Sequence, residues 1–224
     1  MKKYILPNKI LALPNPDKEF HEKWNTNRNK LNLPHPWRGV FLGPPNCGKG
    51  TVVKNLLLRA DPPFEEIFCI HCDPDFTTEW DDCNIEMLNE IPPPNEWEGE
   101  KKTLVILDDL EFKGMNREQK RNLDRLFGFV STHKNISIAL CAQDAFNVPP
   151  IVRRCSNLFV FWKSPDLVSM SQVSRKTGMK SEQINNIFCK LMNDPHDNLW
   201  IDNTAKTPYP LRKNGFTLIK KLDK

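Results

Sequence analysis

A chain of 224 residues with 39% hydrophobic and 27% charged residues is long enough to bury a core and too apolar to be largely disordered. Its net charge of +4 permits a polyanionic partner such as nucleic acid, but it fits an ordinary, slightly basic surface equally well. No apolar run approaches the roughly 18 residues that a membrane-spanning helix requires, so we expect no transmembrane segment.

The cysteines and the N-terminal residues favour an intracellular protein. Seven scattered cysteines, an odd number, suit a reducing compartment better than a disulfide framework. Pro7 and Pro14 interrupt the apolar stretch that could otherwise form a signal peptide. Residues 1–36 are rich in proline, asparagine and lysine, and we interpret them as an N-terminal arm before one domain over residues 37–224.

Strands that alternate with helices are predicted along this domain. The expected strands, in chain order, are WRGVFLG, FEEIFCIHC, TLVILDDL, NISIALCAQ and NLFVFWK. The expected helices are GKGTVVKNLLLRA, residues 116–133 and two stretches near 166–177 and 181–193, while VPPIVRRCS is expected to turn. The tail from residue 198 predicts a hairpin or edge pair, a C-terminal β extension. This alternation predicts an α/β fold with a mostly parallel central sheet flanked by helices.

The segment FLGPPNCGKGT nearly matches a phosphate-binding loop. Gly43, Gly48 and Lys49 fit the spacing G-x-x-x-x-G-K between a strand and a helix, where backbone N–H groups and the helix dipole bind phosphate. Lys49 is then expected to reach the β- and γ-phosphates of ATP. The residues predicted to bind the nucleotide are Gly43, Pro44, Pro45, Asn46, Cys47, Gly48, Lys49, Gly50 and Thr51.

The loop departs from the usual pattern at the position that binds the metal. The residue after the lysine is normally Ser or Thr, whose hydroxyl binds Mg²⁺, but here it is Gly50. Thr51, one position later, is the expected substitute, or water fills the place. The letters GKGT also resemble the loop of adenylate kinases, so a nucleoside monophosphate kinase is an alternative function.

Polar side chains follow two other buried strands. In LVILDDL, Asp108 is expected to hold Mg²⁺ directly or through water, and Asp109 to polarise the attacking water. Gln143 ends the strand ISIALCAQ, where an amide can sense the γ-phosphate. Arg153 and Arg154 follow in PPIVRRCSN, and either could complete the site of a neighbouring subunit as an arginine finger. Each of these also fits a strand end or a solvated basic turn.

Taken in order, these segments resemble the viral DNA-packaging ATPases of the poxvirus type. This group is shared with virophages, Polinton-like elements and other large DNA viruses, and belongs to the FtsK–HerA superfamily of ring motors. The resemblance covers most of residues 34–219 and rests on LPHPWRGVFLGPPNCGKGT, KTLVILDDL, THKNISIALCAQ, PPIVRRCSNLFVF and YPLRKNGFTLI. It implies a RecA-like P-loop NTPase of the ASCE division, with ATP and Mg²⁺ as cofactors.

The resemblance also implies partners and a location. The family forms a homo-oligomeric ring that threads double-stranded DNA into a preformed viral capsid, at a capsid vertex. Such a protein would act in the host-cell cytoplasm or a viral factory, or associated with the virion. By the resemblance the loop binds nucleotide, Asp108 and Asp109 take the Walker B roles, Gln143 senses, and one of Arg153 and Arg154 is the finger.

Two other functions stay open at this point. An adenylate-type kinase carries its loop near the N-terminus and needs an arginine-rich lid, whereas about forty residues precede this loop and no such lid is evident. A nucleotide-switched capsid assembly factor, which moves no DNA, is also compatible with the sequence. For a motor, the candidate phosphate contacts on DNA are Arg117, Arg121, Arg125, Lys101, Lys102, Lys113, Arg175, Lys176 and Lys180, although each also fits a solvated surface.

The cysteine-rich segment CIHCDPDFTTEWDDC raises the question of zinc. Cys69 and Cys72 have the spacing of a C-x-x-C pair, but the second closely spaced pair of a zinc site is missing. The same residues read well as a buried strand, in which free cysteines are common. A strand is therefore favoured over zinc bound by Cys69, Cys72 and Cys83.

Overall fold

A computed structural model describes residues 31, 33–75, 79–81, 83–164, 171, 179–204 and 210–219. The proposed arm over residues 1–36 therefore lies almost entirely outside the described residues, as does nearly all of the helix expected near 166–177. The arm's last residues contact the domain. The His35 ring lies 2.8 Å from Ser137 Oγ and 2.9 Å from the Asn135 carbonyl.

The described strands form one nine-stranded sheet in the order β3-β2-β4-β5-β1-β6-β7-β8-β9. The strands, in chain order, are β1 (Arg38–Leu42), β2 (Glu66–His71), β3 (Glu86–Leu88), β4 (Thr103–Asp108), β5 (Ile136–Ala142), β6 (Leu158–Trp162), β7 (Asn198–Asp202), β8 (Leu211–Lys213) and β9 (Thr217–Leu218). The first six pair in parallel and the last three are antiparallel. A mostly parallel sheet with a β extension in the tail is thus confirmed.

Helices cover both faces of this sheet. They are α1 (Lys49–Leu58), α2 (Arg117–Arg125), a π-helical turn (Leu126–Val130), α3 (Ser131–His133), α4 (Pro150–Cys155) and α5 (Ser181–Leu191). The helix expected over 116–133 is continuous but contains the π-helical turn. Among the described residues, none of these helices has the length and apolar character needed to cross a membrane.

One local expectation was wrong, and one strand was not predicted. The segment VPPIVRRCS forms the short helix α4 rather than a turn, because Pro150 fits the first turn of a helix, where its missing N–H costs nothing. The strand β3 was not expected, since only three residues form it and they pair with Phe68, Cys69 and Ile70 at the sheet edge. Short edge strands of this kind carry no detectable apolar period.

Alternate residues of each central strand pack into two separate cores. On β4, Leu104 and Ile106 face α1, whereas Val105 and Leu107 face the α2–α3 helix and α5. All six residues of β4 and all seven of β5 are buried, which explains why both strands read as continuous apolar runs. The alternation also directs Asp108 to the side of α1, where the glycine loop lies.

Candidate nucleotide-binding site

The glycine loop connects β1 to α1 at the carboxyl edge of the parallel strands. Gly48 caps α1 with φ of 99°, a left-handed conformation that glycine adopts without strain. Residues 45–52 line a cavity of about 630 Å³ together with Glu79, Asp108, Asp109, Gln143 and His196. The structure thus brings most of the predicted loop to one cavity with three of the other predicted site residues.

Lys49 lies across its own loop. Its Nζ donates hydrogen bonds of 3.0 Å to the Gly43 carbonyl and 3.1 Å to the Pro44 carbonyl. These contacts hold the ammonium beside the cavity, where a phosphate oxygen can compete with the carbonyls for it. Gly43 and Pro44 therefore contact the loop through their carbonyl groups but do not line the cavity, whose lining begins at Pro45.

Asp108 and Asp109 lie at the end of β4, separated from the loop strand by β5. Asp108 is buried, and its Oδ2 accepts a 3.1 Å hydrogen bond from Nε1 of the buried Trp80. Burial raises the pKa of the Asp108 carboxyl and the neighbouring Asp109 raises it further, whereas the Trp80 hydrogen bond opposes this rise. Asp109 is exposed and has a left-handed φ of 46°.

Gln143 follows β5, the strand between β1 and β4, so its amide lies between the loop and the aspartates. Its Nε2 donates a 3.3 Å hydrogen bond to Asp109 Oδ1. An amide that contacts the proposed water-polarising carboxylate can transmit a change at the γ-phosphate to it.

Three residues around this cavity were not predicted from the sequence. Glu79 and Trp80 come from the loop after β2, and His196 comes from the loop before β7, with its Nδ1 3.2 Å from the Cys47 carbonyl. Loop residues show no periodicity, so pattern alone could not select them. Gly50 was the one feature of the sequence that could have indicated a further residue at this site, because a missing side chain in the loop makes room for another group.

Among the described residues, the arginines and lysines predicted to act as an arginine finger or to contact DNA lie outside the cavity. Arg153 and Arg154 lie on α4 and do not line the cavity. Arg117, Arg121 and Lys113 are exposed and Arg125 is half-buried. Lys102 is only 4% exposed, its Nζ donates to the Pro62 carbonyl, and burial lowers its pKa to about 8, so its proposed contact with DNA was wrong. Arg175 and Lys176 lie outside the described residues.

The cysteine segment does not form a zinc site in the described part of the chain. Cys69 is buried within β2, Cys72 is exposed, and no group of three or more His, Cys, Asp or Glu there is arranged to hold a metal ion. Burial raises the pKa of the Cys69 thiol, which favours the neutral form over the thiolate that binds zinc. The expected strand is present as β2, and it contains Cys69.

Comparisons with known proteins identify the fold. No protein-family model and no curated protein sequence matches the chain. Among solved structures, the genome packaging NTPase B204 from Sulfolobus turreted icosahedral virus 2, in complex with AMPPCP, is similar with a TM-score of 0.58 and 12% identity, over 83% of this chain and 99% of that one. The DNA-packaging ATPase B204 from Sulfolobus turreted icosahedral virus matches with a TM-score of 0.58 and 15% identity, over 83% and 100%.

A protein from another system has the same architecture. The pCW3 conjugation coupling protein TcpA, solved with ATPgS, gives a TM-score of 0.57 at 12% identity, over 82% of this chain and 61% of that one. At such low identity the likeness concerns the fold. The chain therefore has the α/β fold of P-loop NTPases, with a mostly parallel central sheet and flanking helices.

Proposed function

We propose that this protein is an ATP-driven motor that packages double-stranded viral DNA into a preformed capsid. The observation that carries the proposal is the cavity at the carboxyl edge of the sheet, where the glycine loop meets Asp108, Asp109 and Gln143. The fold shared with genome-packaging NTPases supports it. The poxvirus-type family, the ring, the capsid vertex and a site of action in the host-cell cytoplasm, a viral factory or the virion belong to the proposal through the sequence resemblance.

In the proposed hydrolysis the chain's residues have distinct tasks. The N–H groups at the start of α1 bind the phosphates, and Lys49 leaves its two carbonyl partners to offset γ-phosphate charge. Asp109 polarises the attacking water, with Gln143 holding its carboxylate. When bound with ATP, Mg²⁺ would neutralise phosphate charge, and Asp108 and Thr51 line the cavity as residues to hold it.

The proposed ring would complete each site from a neighbour. Arg153 and Arg154 lie away from the cavity of their own subunit, which suits an arginine that acts on the next one. The exposed residues Arg117 and Arg121 and the half-buried Arg125 supply positive charge for sequence-independent contact with DNA phosphates or with the adjoining subunit.

The decisive experiment measures ATP hydrolysis by the purified protein with and without double-stranded DNA, with AMP as a parallel acceptor. Stimulation by DNA without ADP formed from AMP supports the motor. Phosphoryl transfer to AMP would establish the kinase, and hydrolysis indifferent to DNA would favour the assembly factor.

Two variants make this experiment specific. Lys49→Ala should abolish hydrolysis, whereas Lys190→Ala, which changes an exposed lysine on α5, should leave it intact. Replacing Arg117, Arg121 and Arg125 together by Gln should reduce DNA stimulation or ring formation. Unchanged stimulation and assembly would remove this helix face from the motor.

A further inference from the structure

The missing side chain of Gly50 is replaced in space by the carboxylate of Glu79. Gly50 is the second residue of α1 and is buried. A Cβ at this position would lie 1.6 Å from Glu79 Oε1 and 2.5 Å from its Cδ, far inside contact distance. The loop can therefore carry no Ser or Thr at this position while Glu79 keeps its place.

Trp80 fixes the segment that carries Glu79. The Trp80 side chain is 2% exposed, packs in the core between α1 and the sheet, and donates its Nε1 hydrogen to Asp108. Lys54 Nζ lies 5.8 Å from the centre of the Trp80 ring. Glu79 thus directly precedes a buried residue that is itself hydrogen-bonded to the proposed metal-binding aspartate.

The charges around Glu79 are those of the nucleotide site. Partial burial raises the pKa of the Glu79 carboxyl and the charge of Asp108 raises it further, whereas Lys54 and Lys49 favour its ionised form. A cation placed between Glu79 and Asp108 would relieve the repulsion between the two carboxylates.

The residues present fit Mg²⁺ through this substitution. Mg²⁺ is usually bound by one or two carboxylates together with substrate phosphates and water, and Gly50 supplies no side-chain oxygen. Trp80 donates one hydrogen bond to Oδ2 of Asp108, and the carboxylate keeps further lone pairs that can bind a cation. Glu79 brings a second carboxylate to the place that a hydroxyl occupies in the usual loop.

We propose that Glu79 supplies the metal-binding oxygen that Gly50 lacks, so that Glu79 and Asp108 together hold the divalent cation that accompanies ATP. The inference rests on the proposed function, because it assumes that the cavity binds a nucleotide. It assigns to a loop residue outside the glycine motif the task that the motif itself usually performs.

The test measures metal binding without hydrolysis. Mn²⁺ is titrated into the full-length protein saturated with AMPPCP and followed by electron paramagnetic resonance, and AMPPCP affinity is measured separately in EDTA. Glu79→Gln should weaken Mn²⁺ binding about tenfold or more, the scale of metal-site substitutions, with AMPPCP affinity in EDTA unchanged. Glu182→Gln, an exposed carboxylate on α5, is the matched control and should change neither value.

A pair of variants tests the spatial exchange itself. Gly50→Ser alone must displace Glu79, whereas Gly50→Ser combined with Glu79→Ala rebuilds the usual loop. The double variant should bind Mn²⁺ within about threefold of the wild type and more tightly than Glu79→Ala alone, a recovery that also shows that the fold is intact.

Each remaining outcome has one meaning. Unchanged Mn²⁺ binding in Glu79→Gln overturns the inference, as does a loss confined to Thr51→Val, which would assign the ligand to Thr51. Tighter AMPPCP binding by Glu79→Gln in EDTA would make Glu79 an occupant of the phosphate site instead. If the wild type binds no AMPPCP, the proposed nucleotide site fails together with the inference.

Discussion

The indole Nε1 of Trp80 donates a hydrogen bond of 3.1 Å to Oδ2 of Asp108, and both side chains are buried. This bond joins the loop after β2 to the end of β4 at the edge of the nucleotide cavity. It orients the carboxylate and stabilises its charged form in a place where burial disfavours charge.

Trp80→Phe should therefore impair the site through Asp108. Loss of the hydrogen bond removes the contribution that lowers the pKa of Asp108, so this pKa rises further. Hydrolysis that needs ionised Asp108 should therefore become slower, since a hydrogen bond to a charged group contributes roughly 1.5–3 kcal/mol. The acidic limb of the rate–pH profile should move to higher pH.

Trp97→Phe provides the matched control for this prediction. Trp97 is also buried and donates its Nε1 hydrogen to the Pro92 carbonyl, away from the cavity. Trp97→Phe should lower the thermal stability about as much as Trp80→Phe does, but it should leave the rate–pH profile of hydrolysis unchanged. An acidic limb that stays in place in Trp80→Phe would contradict the role assigned to Trp80.

The second prediction concerns Gln143 and Asp109. Gln143→Ala removes the 3.3 Å hydrogen bond to Asp109 Oδ1 and should lower the rate of hydrolysis severalfold to tenfold, with nucleotide affinity nearly unchanged. Rate and affinity are measured separately, with Asn147→Ala as the exposed control in the next turn. If nucleotide affinity falls together with the rate, Gln143 binds the nucleotide rather than orienting the Asp109 side chain.

The fold could be predicted from the sequence because its central strands are apolar and its helices are periodic. The runs in β4 and β5 are buried on both faces, and the Gly48–Lys49 loop lies between a recognisable strand and helix. The helix α4 was missed because Pro149 and Pro150 at its start are also typical of turns. Lys102 was misassigned because a buried lysine and a surface lysine look alike in sequence.

The candidate site was predictable only where a strand or a motif carried it. Lys49, Asp108 and Gln143 could be found because parallel strands bring their carboxyl ends to one edge. Glu79 and His196 could not, because loops between elements place their side chains through contacts distant in the chain.

The third prediction concerns the loop that carries His196. Burial opposes ionisation of the adjacent Asp197, but hydrogen bonds from Lys213, Asn214 and the N–H groups of residues 193 and 194 outweigh it and lower the pKa to about 2. A depressed carboxyl pKa stabilises the fold above the unfolded value near 3.9, and this contribution is lost as pH falls toward 2. Asp197→Asn should cost on the order of 2 kcal/mol at pH 7 and little at pH 2.

Urea unfolding at several pH values measures this difference. Asp124→Asn, on the exposed side of α2, is the control and should show no such pH dependence. An Asp197→Asn variant whose loss of stability is equal at pH 7 and pH 2 would show that shape rather than charge accounts for the effect.

The last prediction concerns the buried ion pair between Arg212 on β8 and Asp202 on β7. The side chains are 5% and 0% exposed; Arg212 Nη2 donates to Asp202 Oδ2, and Nη1 donates to the Leu31 carbonyl. Arg212→Met would leave Asp202 buried without its cation, and unfolding should require about 3–5 kcal/mol less.

Adding Asp202→Asn should recover part of this loss, because a neutral amide oxygen still accepts from Thr204 and no buried charge remains. The pair of the exposed Lys101 and the half-buried Glu66 is the control, since solvent screens it, and Lys101→Ala should change stability little. If Arg212→Met costs less than about 1 kcal/mol, or if the double variant is less stable than the single one, the pair does not hold β8 to β7 through its charge.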